Sequence, residues 1–233
     1  MDSYKILIAD DEDDIRDLLE IYLKSEGFEV ATAVDGYEAL QILETRDFDL
    51  IILDIMMPRL DGIQTCFKIR KDKGIPIIML SAKSEDVDKI LGLNTGADDY
   101  VTKPFNPLEV VARVKSQLRR YTRLNDYIPK SNDEIVIGGL VINTASHQIK
   151  VDGKDIKLTP TEFSILEVLA RNKGRVLSIE NIYENVWNEP LYESENTVAV
   201  HIRNIREKTE INPKEPRYIK VVWGVGYKID HNS

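Results

Sequence analysis

Asp54 closes Leu50-Ile51-Ile52-Leu53, a continuous apolar run rich in β-branched residues, and Pro58 follows four residues later. Such a run reads as a strand buried on both faces of a parallel sheet, and the proline keeps the chain from continuing in the ladder. An acid at the carboxyl end of a parallel strand stands where ligands and chemistry gather in open α/β sheets. Asp10 and Asp11 follow a second apolar run, Ile6-Leu7-Ile8-Ala9. If the two strands are neighbours, three carboxylates cluster and repel one another, and a hard divalent cation such as Mg²⁺ is the simplest remedy. The same cation would neutralise an incoming phosphoryl group as it transfers, with Asp54 as the nucleophile of an aspartyl phosphate.

Two further strand ends supply what such a site lacks. Ser81, after Pro76-Ile77-Ile78-Met79-Leu80, offers a hydroxyl to a phosphoryl oxygen. Lys103, after Asp99-Tyr100-Val101-Thr102, offers a positive charge, and Pro104 predicts a cis turn that aims it. Taken singly, Ser81 reads equally as a helix N-cap and Lys103 as a solvated lysine. Together they add a hydroxyl and a cation to three acids at the ends of four strands.

The elements that must position these residues alternate regularly. Strands are predicted near 5–9, 29–33, 50–53, 77–80 and 99–101, with helices near 15–23, 36–45, 62–71, 84–95 and 106–121. Five strands alternating with five helices predict a doubly wound parallel sheet. No Gly-rich phosphate loop follows the first strand, which argues against nucleotide binding.

Composition sets the outer bounds. At 233 residues, 42% hydrophobic and 30% charged, the chain reads as an ordinary globular protein with room for two small domains. No apolar run approaches a membrane span, no signal-peptide pattern opens the chain, and the single Cys66 excludes an internal disulfide framework; a reducing cytoplasm fits. Cys66 reads as a small packed hydrophobe. His147, His201 and His231 form no metal-ligand spacing, so zinc is not expected. The net charge of −9 hides an asymmetry: residues 1–120 carry 24 acidic against 16 basic side chains, whereas 201–228 carry seven Lys or Arg against three Glu.

The second half has its own grammar. Polar residues 122–134, with Pro129, read as a linker. Short strands near 135–137, 140–143, 148–151 and 154–158, turning at Gly138-Gly139 and Asp152-Gly153, predict a small antiparallel sheet. Thr159-Pro160-Thr161-Glu162 is a capping box with proline in the first turn, so a helix begins there; Ser178 opens a second, and a third spans about 195–208. In that third helix Val198, Ile202 and Ile205 should face the core. Asn196, Val200, Arg203 and Asn204 should face outward, with Thr197 and His201 at the margin. A helix showing Arg, Asn and a β-branched methyl is equipped to read base edges in a major groove, with Arg206, Lys208, Arg217 and Lys220 set for phosphate contacts. Residues 218–229 alternate and turn at Gly224 and Gly226, as a hairpin does.

Ala9-Asp10-Asp11-Glu12, Leu53-Asp54-Ile55-Met56-Met57-Pro58, Ser81-Ala82 and Lys103-Pro104-Phe105 jointly resemble the receiver domain of two-component response regulators. The resemblance implies that Asp10 and Asp11 are the acidic Mg²⁺ pair, that Asp54 is the phospho-acceptor and that the Met56 carbonyl completes the metal ligands. Ser81 and Lys103 then match the family's hydroxyl and lysine, and Tyr100 its switch aromatic. Residues 96–105 through Arg119-Arg120, together with Thr159–Phe163, 198–208 and 223–227, are similar to the OmpR/PhoB subfamily, whose effector is a winged helix; 158–166 and 222–229 look nearest to VanR-type regulators. Such receivers pair through their fourth helix, fifth strand and fifth helix. The analogy places Lys89, Asp98, Asp99, Glu109, Arg113 and Arg120 in cross-subunit ion pairs around Ile90, Leu93 and Val111. It also sets Tyr227 and Lys228 near the minor groove. Three residues depart from the pattern: Asn94 stands where relatives often carry Glu, Asn204 where they carry Arg, and Val221 where they carry Thr.

The expected architecture is thus a flavodoxin-like (βα)5 receiver over 1–121, a linker over 122–134 and an α+β winged helix-turn-helix effector over 135–233. The expected protein is a phospho-accepting transcription factor of the cytoplasm, not an enzyme. The resemblance implies a sensor histidine kinase as donor, a homodimer on phosphorylation, double-stranded DNA with direct or inverted half-sites, and RNA polymerase as a further partner. An aspartate-nucleophile phosphohydrolase would need a second acid two residues after Asp54, where Met56 stands. An unswitched DNA-binding protein would have no use for the intact acidic pair, acceptor, hydroxyl and lysine.

Overall fold

The computed structural model describes residues 3–82, 96–123, 133–187 and 195–230, without the side chains of 120, 122, 123, 195 and 196. It divides into two compact units, Met1–Arg119 and Arg120–Ser233.

The first unit is a parallel sheet of β1 (Lys5–Ala9), β2 (Glu29–Ala33), β3 (Leu50–Asp54), β4 (Ile77–Ala82) and β5 (Asp99–Lys103), in the order β2-β1-β3-β4-β5. The reversal of strand order at β1 and β3 is the topological switch point, where such sheets open a crevice at their carboxyl edge. β3 is buried at all five positions and β4 at five of six, which explains runs of Ile and Leu without alternation. Helices α1 (Asp13–Ser25), α2 (Gly36–Thr45), α3 (Gly62–Asp72) and α4 (Pro107–Arg123) accompany it. Asp35 and Asp61 cap α2 and α3 through the backbone N–H groups of Glu38 and Gln64. α3 must begin at glycine, because a Cβ on Gly62 would collide with the Asp54 carbonyl. The core joins Ile6, Ile8, Leu50, Ile52, Ile78 and Leu80 to Leu19 and Leu23 of α1 and to Val110, Val111, Val114 and Leu118 of α4. The helix expected near 84–95 lies outside the described residues.

The second unit opens with an antiparallel sheet of β6 (Glu134–Ile137), β7 (Leu140–Asn143), β8 (Gln148–Val151) and β9 (Lys154–Ile156). Three helices follow: α5 (Pro160–Arg171), α6 (Ile179–Trp187) and α7 (Glu195–Thr209). The Thr159–Glu162 capping box forms as its spacing predicts, and Ser178 Oγ accepts the Asn181 N–H at the start of α6. The chain closes in a hairpin, β10 (Ile219–Val222) and β11 (Gly226–Ile229). Its core gathers Phe163, Leu166, Leu169, Ile182, Trp187, Val198, Ile202, Ile205, Ile219 and Ile229. No helix among the described residues is long and apolar enough to cross a membrane.

Candidate functional site

Register brings the predicted residues of the first unit together. Ala9 lies opposite Leu53, so Asp10 and Asp54 emerge side by side from β1 and β3. Asp54 pairs with Leu80, and Ala82 with Lys103, which carries Ser81 and Lys103 to the same edge. Both sit within their strands rather than just past them. Lys103 Nζ lies 2.8 Å from Asp10 Oδ2, 2.8 Å from Asp54 Oδ1 and 3.0 Å from Glu12 Oε1. The peptide bond between Lys103 and Pro104 is cis.

The electrostatics follow from burial. Asp10 and Asp54 are buried and Asp11 is exposed. Burial pushes the Asp54 carboxyl up from its ordinary 3.8; the Lys103 hydrogen bond opposes this, and the neighbouring Asp10 charge adds to it. For Lys103, burial alone acts downward, but its bonds to Asp10 and Asp54 outweigh it and hold the ammonium above the usual lysine range. One ammonium therefore faces an excess of carboxylate. Asp10, Asp11 and Asp54 each offer an oxygen within 4.8 Å of the others, an all-oxygen donor set with one solvent-facing member that fits a hard cation.

The remaining predicted residues lie nearby but are used differently. Ser81 is buried, and its hydroxyl donates to the Ala82 carbonyl at 3.2 Å. The Met56 backbone N–H bonds the Asp54 carboxylate while its side chain points to solvent. Tyr100 is half-buried. Sequence reasoning gave no role to three residues that complete the setting. Glu12 shares Lys103, and Arg16 Nη1 donates to the Asp10 carbonyl at 2.6 Å. Arg59, at φ 65°, forms an ion pair with the buried Asp35 and so pins the loop after Asp54 to the end of β2.

The expected pairing face requires correction. Asp98 is wholly buried and bonds Arg70 Nη2 at 2.6 Å and the Ile77 N–H at 3.0 Å. Asp99 is buried against Arg113 of its own chain at 3.1 Å, and Arg113 also holds Glu109 at 2.9 Å, one turn away on α4. Val111 is on the inward face of α4 and belongs to the core. Asp98, Asp99 and Val111 are thus committed within the unit rather than displayed, whereas Glu109 is exposed. Lys89, Ile90, Leu93 and the Arg120 side chain lie outside the described residues.

The expected reading face of α7 also changes. Thr197, Val200, His201 and Asn204 are buried; among the described side chains of the predicted set, Arg203 is exposed. The reason is that α7 packs against both α5 and α6, so a wider arc is covered than the single stripe of Val198, Ile202 and Ile205. His201 faces the Trp187 ring at 5.9 Å. The Asn196 side chain lies outside the described residues. Arg203 pairs with Glu207 along the helix at 2.9 Å.

Most of the other basic residues have structural work. Arg206 donates twice to the Ile219 carbonyl, at 3.1 and 2.8 Å, and lies 5.8 Å from the Tyr227 ring; burial pushes its guanidinium below the usual range. Lys208 reaches the buried Glu162 at 2.6 Å, Arg217 lies 3.6 Å from Asp152, and Lys220 bonds the Pro216 carbonyl. Tyr227 and Lys228 are half-buried, with Lys228 paired to Asp230. Glu210, also unanticipated, is buried and accepts the N–H groups of Arg217, Tyr218 and Ile219 at 2.6, 2.8 and 3.1 Å, fixing the entry to β10.

Comparison with known proteins bears on both units. Residues 6–115 match the response regulator receiver domain, and 153–229 match the C-terminal domain of transcriptional regulatory proteins. The regulatory protein VanR of Enterococcus faecium is 50% identical, over 98% of this chain and 99% of its own. The alkaline phosphatase synthesis transcriptional regulatory protein PhoP of Bacillus subtilis is 47% identical, over 97% and 96%. The crystal structure of DrrB, an OmpR/PhoB homolog from Thermotoga maritima, superimposes with a TM-score of 0.52 at 33% identity, covering 98% of this chain and all of that one.

Proposed function

Because the chain belongs to the OmpR/PhoB-type response regulators, joining a receiver to a transcription-regulatory domain, we propose that phosphorylation of Asp54 is the event that switches it. The protein is a transcriptional regulator rather than an enzyme. One observation carries the reading of Asp54: a buried carboxylate held 2.8 Å from Lys103, beside Asp10, at the switch point of a parallel sheet.

In this reading a sensor histidine kinase donates the phosphoryl group. Asp54 attacks phosphorus in line; the bond to the donor nitrogen breaks, and the donor takes a proton as it leaves. Asp10 and Asp11 would hold Mg²⁺ with the Met56 carbonyl, and the ion would supply charge neutralisation at the phosphoryl oxygens. Lys103 releases Asp54 and turns to a phosphoryl oxygen, and Ser81 gives up the Ala82 carbonyl to donate to another. Tyr100 moves inward behind Ser81. That rearrangement biases a two-state surface towards a homodimer, which sets two effector domains on direct or inverted half-sites of double-stranded DNA. RNA polymerase is the further partner in a cytoplasmic setting. Receiver 1–121, linker 122–134 and effector 135–233 are the working boundaries.

The test is intact mass after incubation with Mg²⁺ and acetyl phosphate. One phosphoryl group on the wild type and none on Asp54→Asn is the expected outcome. Equal modification of both would mean another acceptor, and none on a folded wild type would remove the switch.

A further inference from the structure

The loop that leaves Asp54 is anchored at both ends by the backbone. The Ile55 N–H donates to the Leu80 carbonyl at 3.0 Å, the Gly62 N–H to the Ile55 carbonyl at 3.0 Å, and the Gly36 N–H to the Leu60 carbonyl at 3.3 Å. Ile55, Met57 and Leu60 are buried, whereas Met56, Pro58 and Arg59 are exposed. Arg59 has a φ of 65°, a left-handed conformation that suits glycine and that a residue with a Cβ adopts at a cost. Such strain persists where the surroundings fix it, and here the side chain supplies the reason. A glycine would relax the turn but could not reach Asp35, the ion-pair partner of Arg59.

Asp35 is as constrained as Arg59 is strained. Its carboxylate is buried; Oδ1 accepts the Glu38 N–H at 3.0 Å, and Oδ2 takes the Arg59 guanidinium. Glu38 reaches back to the Val34 N–H at 2.8 Å, so the segment between β2 and α2 is closed on itself. Just before it, the Ala33 carbonyl accepts the Asp10 N–H at 3.2 Å. The Arg59–Asp35 pair therefore ties the loop that carries Met56 to the strand end that holds Asp10. Its two ends stand next to two of the oxygen donors read above as metal ligands. The guanidinium has no acceptor atom, so it cannot ligate a cation itself and acts on one only through the loop.

We propose that Arg59 is a positioning residue for the divalent-cation site: its ion pair with Asp35 sets the loop so that the Met56 carbonyl joins the oxygens of Asp10, Asp11 and Asp54. The proposal rests on the reading of this edge as a Mg²⁺-dependent phosphorylation site. Mg²⁺ demands a near-octahedral set of oxygens at short, fixed distances, so a loop free to turn forfeits a ligand. Removing an outer partner of this kind weakens metal binding by about tenfold or more.

The experiment titrates Mn²⁺ into the full chain, counts the free ion by electron paramagnetic resonance, and displaces the bound ion with Mg²⁺; both ions take oxygen ligands. Asp11→Asn identifies the share of the signal that belongs to this site. Arg59→Gly and Asp35→Asn are each expected to weaken that binding about tenfold. Asparagine caps a helix as well as aspartate does, so α2 keeps its cap. The double variant leaves neither a buried charge unpaired nor a side chain at positive φ. It should keep wild-type circular dichroism and bind the ion no more weakly than either single variant. The Mg²⁺ concentration that half-saturates phosphorylation by acetyl phosphate should rise by the same factor. Wild-type ion affinity in the double variant, with Asp54 of the wild type still accepting a phosphoryl group, would overturn the positioning role and leave the phosphorylation reading intact. Losses that multiply to about a hundredfold in the double variant would mean that the two residues act separately, and would overturn the link. A wild type without Asp11-dependent Mn²⁺ binding would remove the metal reading, and the positioning role with it.

Discussion

The two units spend charge in opposite ways. At the receiver edge, Asp10, Asp54 and Glu12 converge on one ammonium, and burial holds Asp54 in a state it resists. In the effector unit, Glu162 meets Lys208 and its own helix cap, and Glu210 meets three backbone donors, so each buried acid is matched. The receiver cluster sets more carboxylate than ammonium at one edge. The effector acids are finished joints. Burial of a charge alone therefore does not mark a reactive site; burial with an excess of one sign does.

That contrast can be broken by substitution. Glu210→Ala should show the largest effect, a loss of about 4 kcal/mol in the effector unit, because three backbone N–H groups lose a charged acceptor. Both tryptophans lie in this unit, so urea unfolding followed by tryptophan emission reads it directly. Lys103→Met should destabilise the receiver by about 3 kcal/mol, since Asp10 and Asp54 remain buried without their cation. The buried thiol of Cys66 reports receiver opening through its reactivity in urea. A loss below about 1 kcal/mol for Lys103→Met would mean that the cluster sheds its charge more easily than its burial implies.

Asp54→Asn should act in the other direction and stabilise the receiver by about 1 kcal/mol at neutral pH. The sign comes from proton linkage. The folded pKa of Asp54 lies above the ordinary 3.8, so between those two values the folded state binds more protons, and stability falls as pH rises through the window. The advantage of the variant should be absent below 3.8 and complete above the raised folded value. Cys66 reactivity across pH would expose it, and an advantage that shrinks towards neutral pH would contradict the account.

Much of this was legible in the chain. Leu50-Ile51-Ile52-Leu53 and Ile77-Ile78-Met79-Leu80 announce central strands because nothing polar interrupts them, and Asp54 and Ser81, which follow them, can only sit at the edge. The capping box at Thr159 and Glu162 is local chemistry that sequence spacing fully describes. What failed depended on neighbours that sequence does not display. Glu12 and Lys103 meet across 91 residues, and nothing near either one signals it. Asp98 and Val111 were assigned to a surface by analogy, yet Arg70 and the sheet claim them. On α7, periodicity located the buried stripe but not its width, which a second packed helix sets.

The smallest expected effect tests whether the effector's cations are joints or contacts. Arg203 is exposed and pairs with Glu207 one turn along α7, so it can leave that partner for a phosphate. Arg203→Ala should flatten the slope of log affinity against log salt by about one and weaken DNA binding a few-fold, at a cost below about 1 kcal/mol. Lys208→Ala should leave that slope unchanged, because its ammonium is committed to Glu162, and should instead lower the stability of the effector unit. Arg206→Ala should also leave the slope unchanged but weaken binding, since without its hold on Ile219 the hairpin loses its fixed position beside α7. An equal flattening for all three would mean that Lys208 and Arg206 abandon their internal partners on DNA. The finished joints of the effector would then be as provisional as the receiver's Lys103.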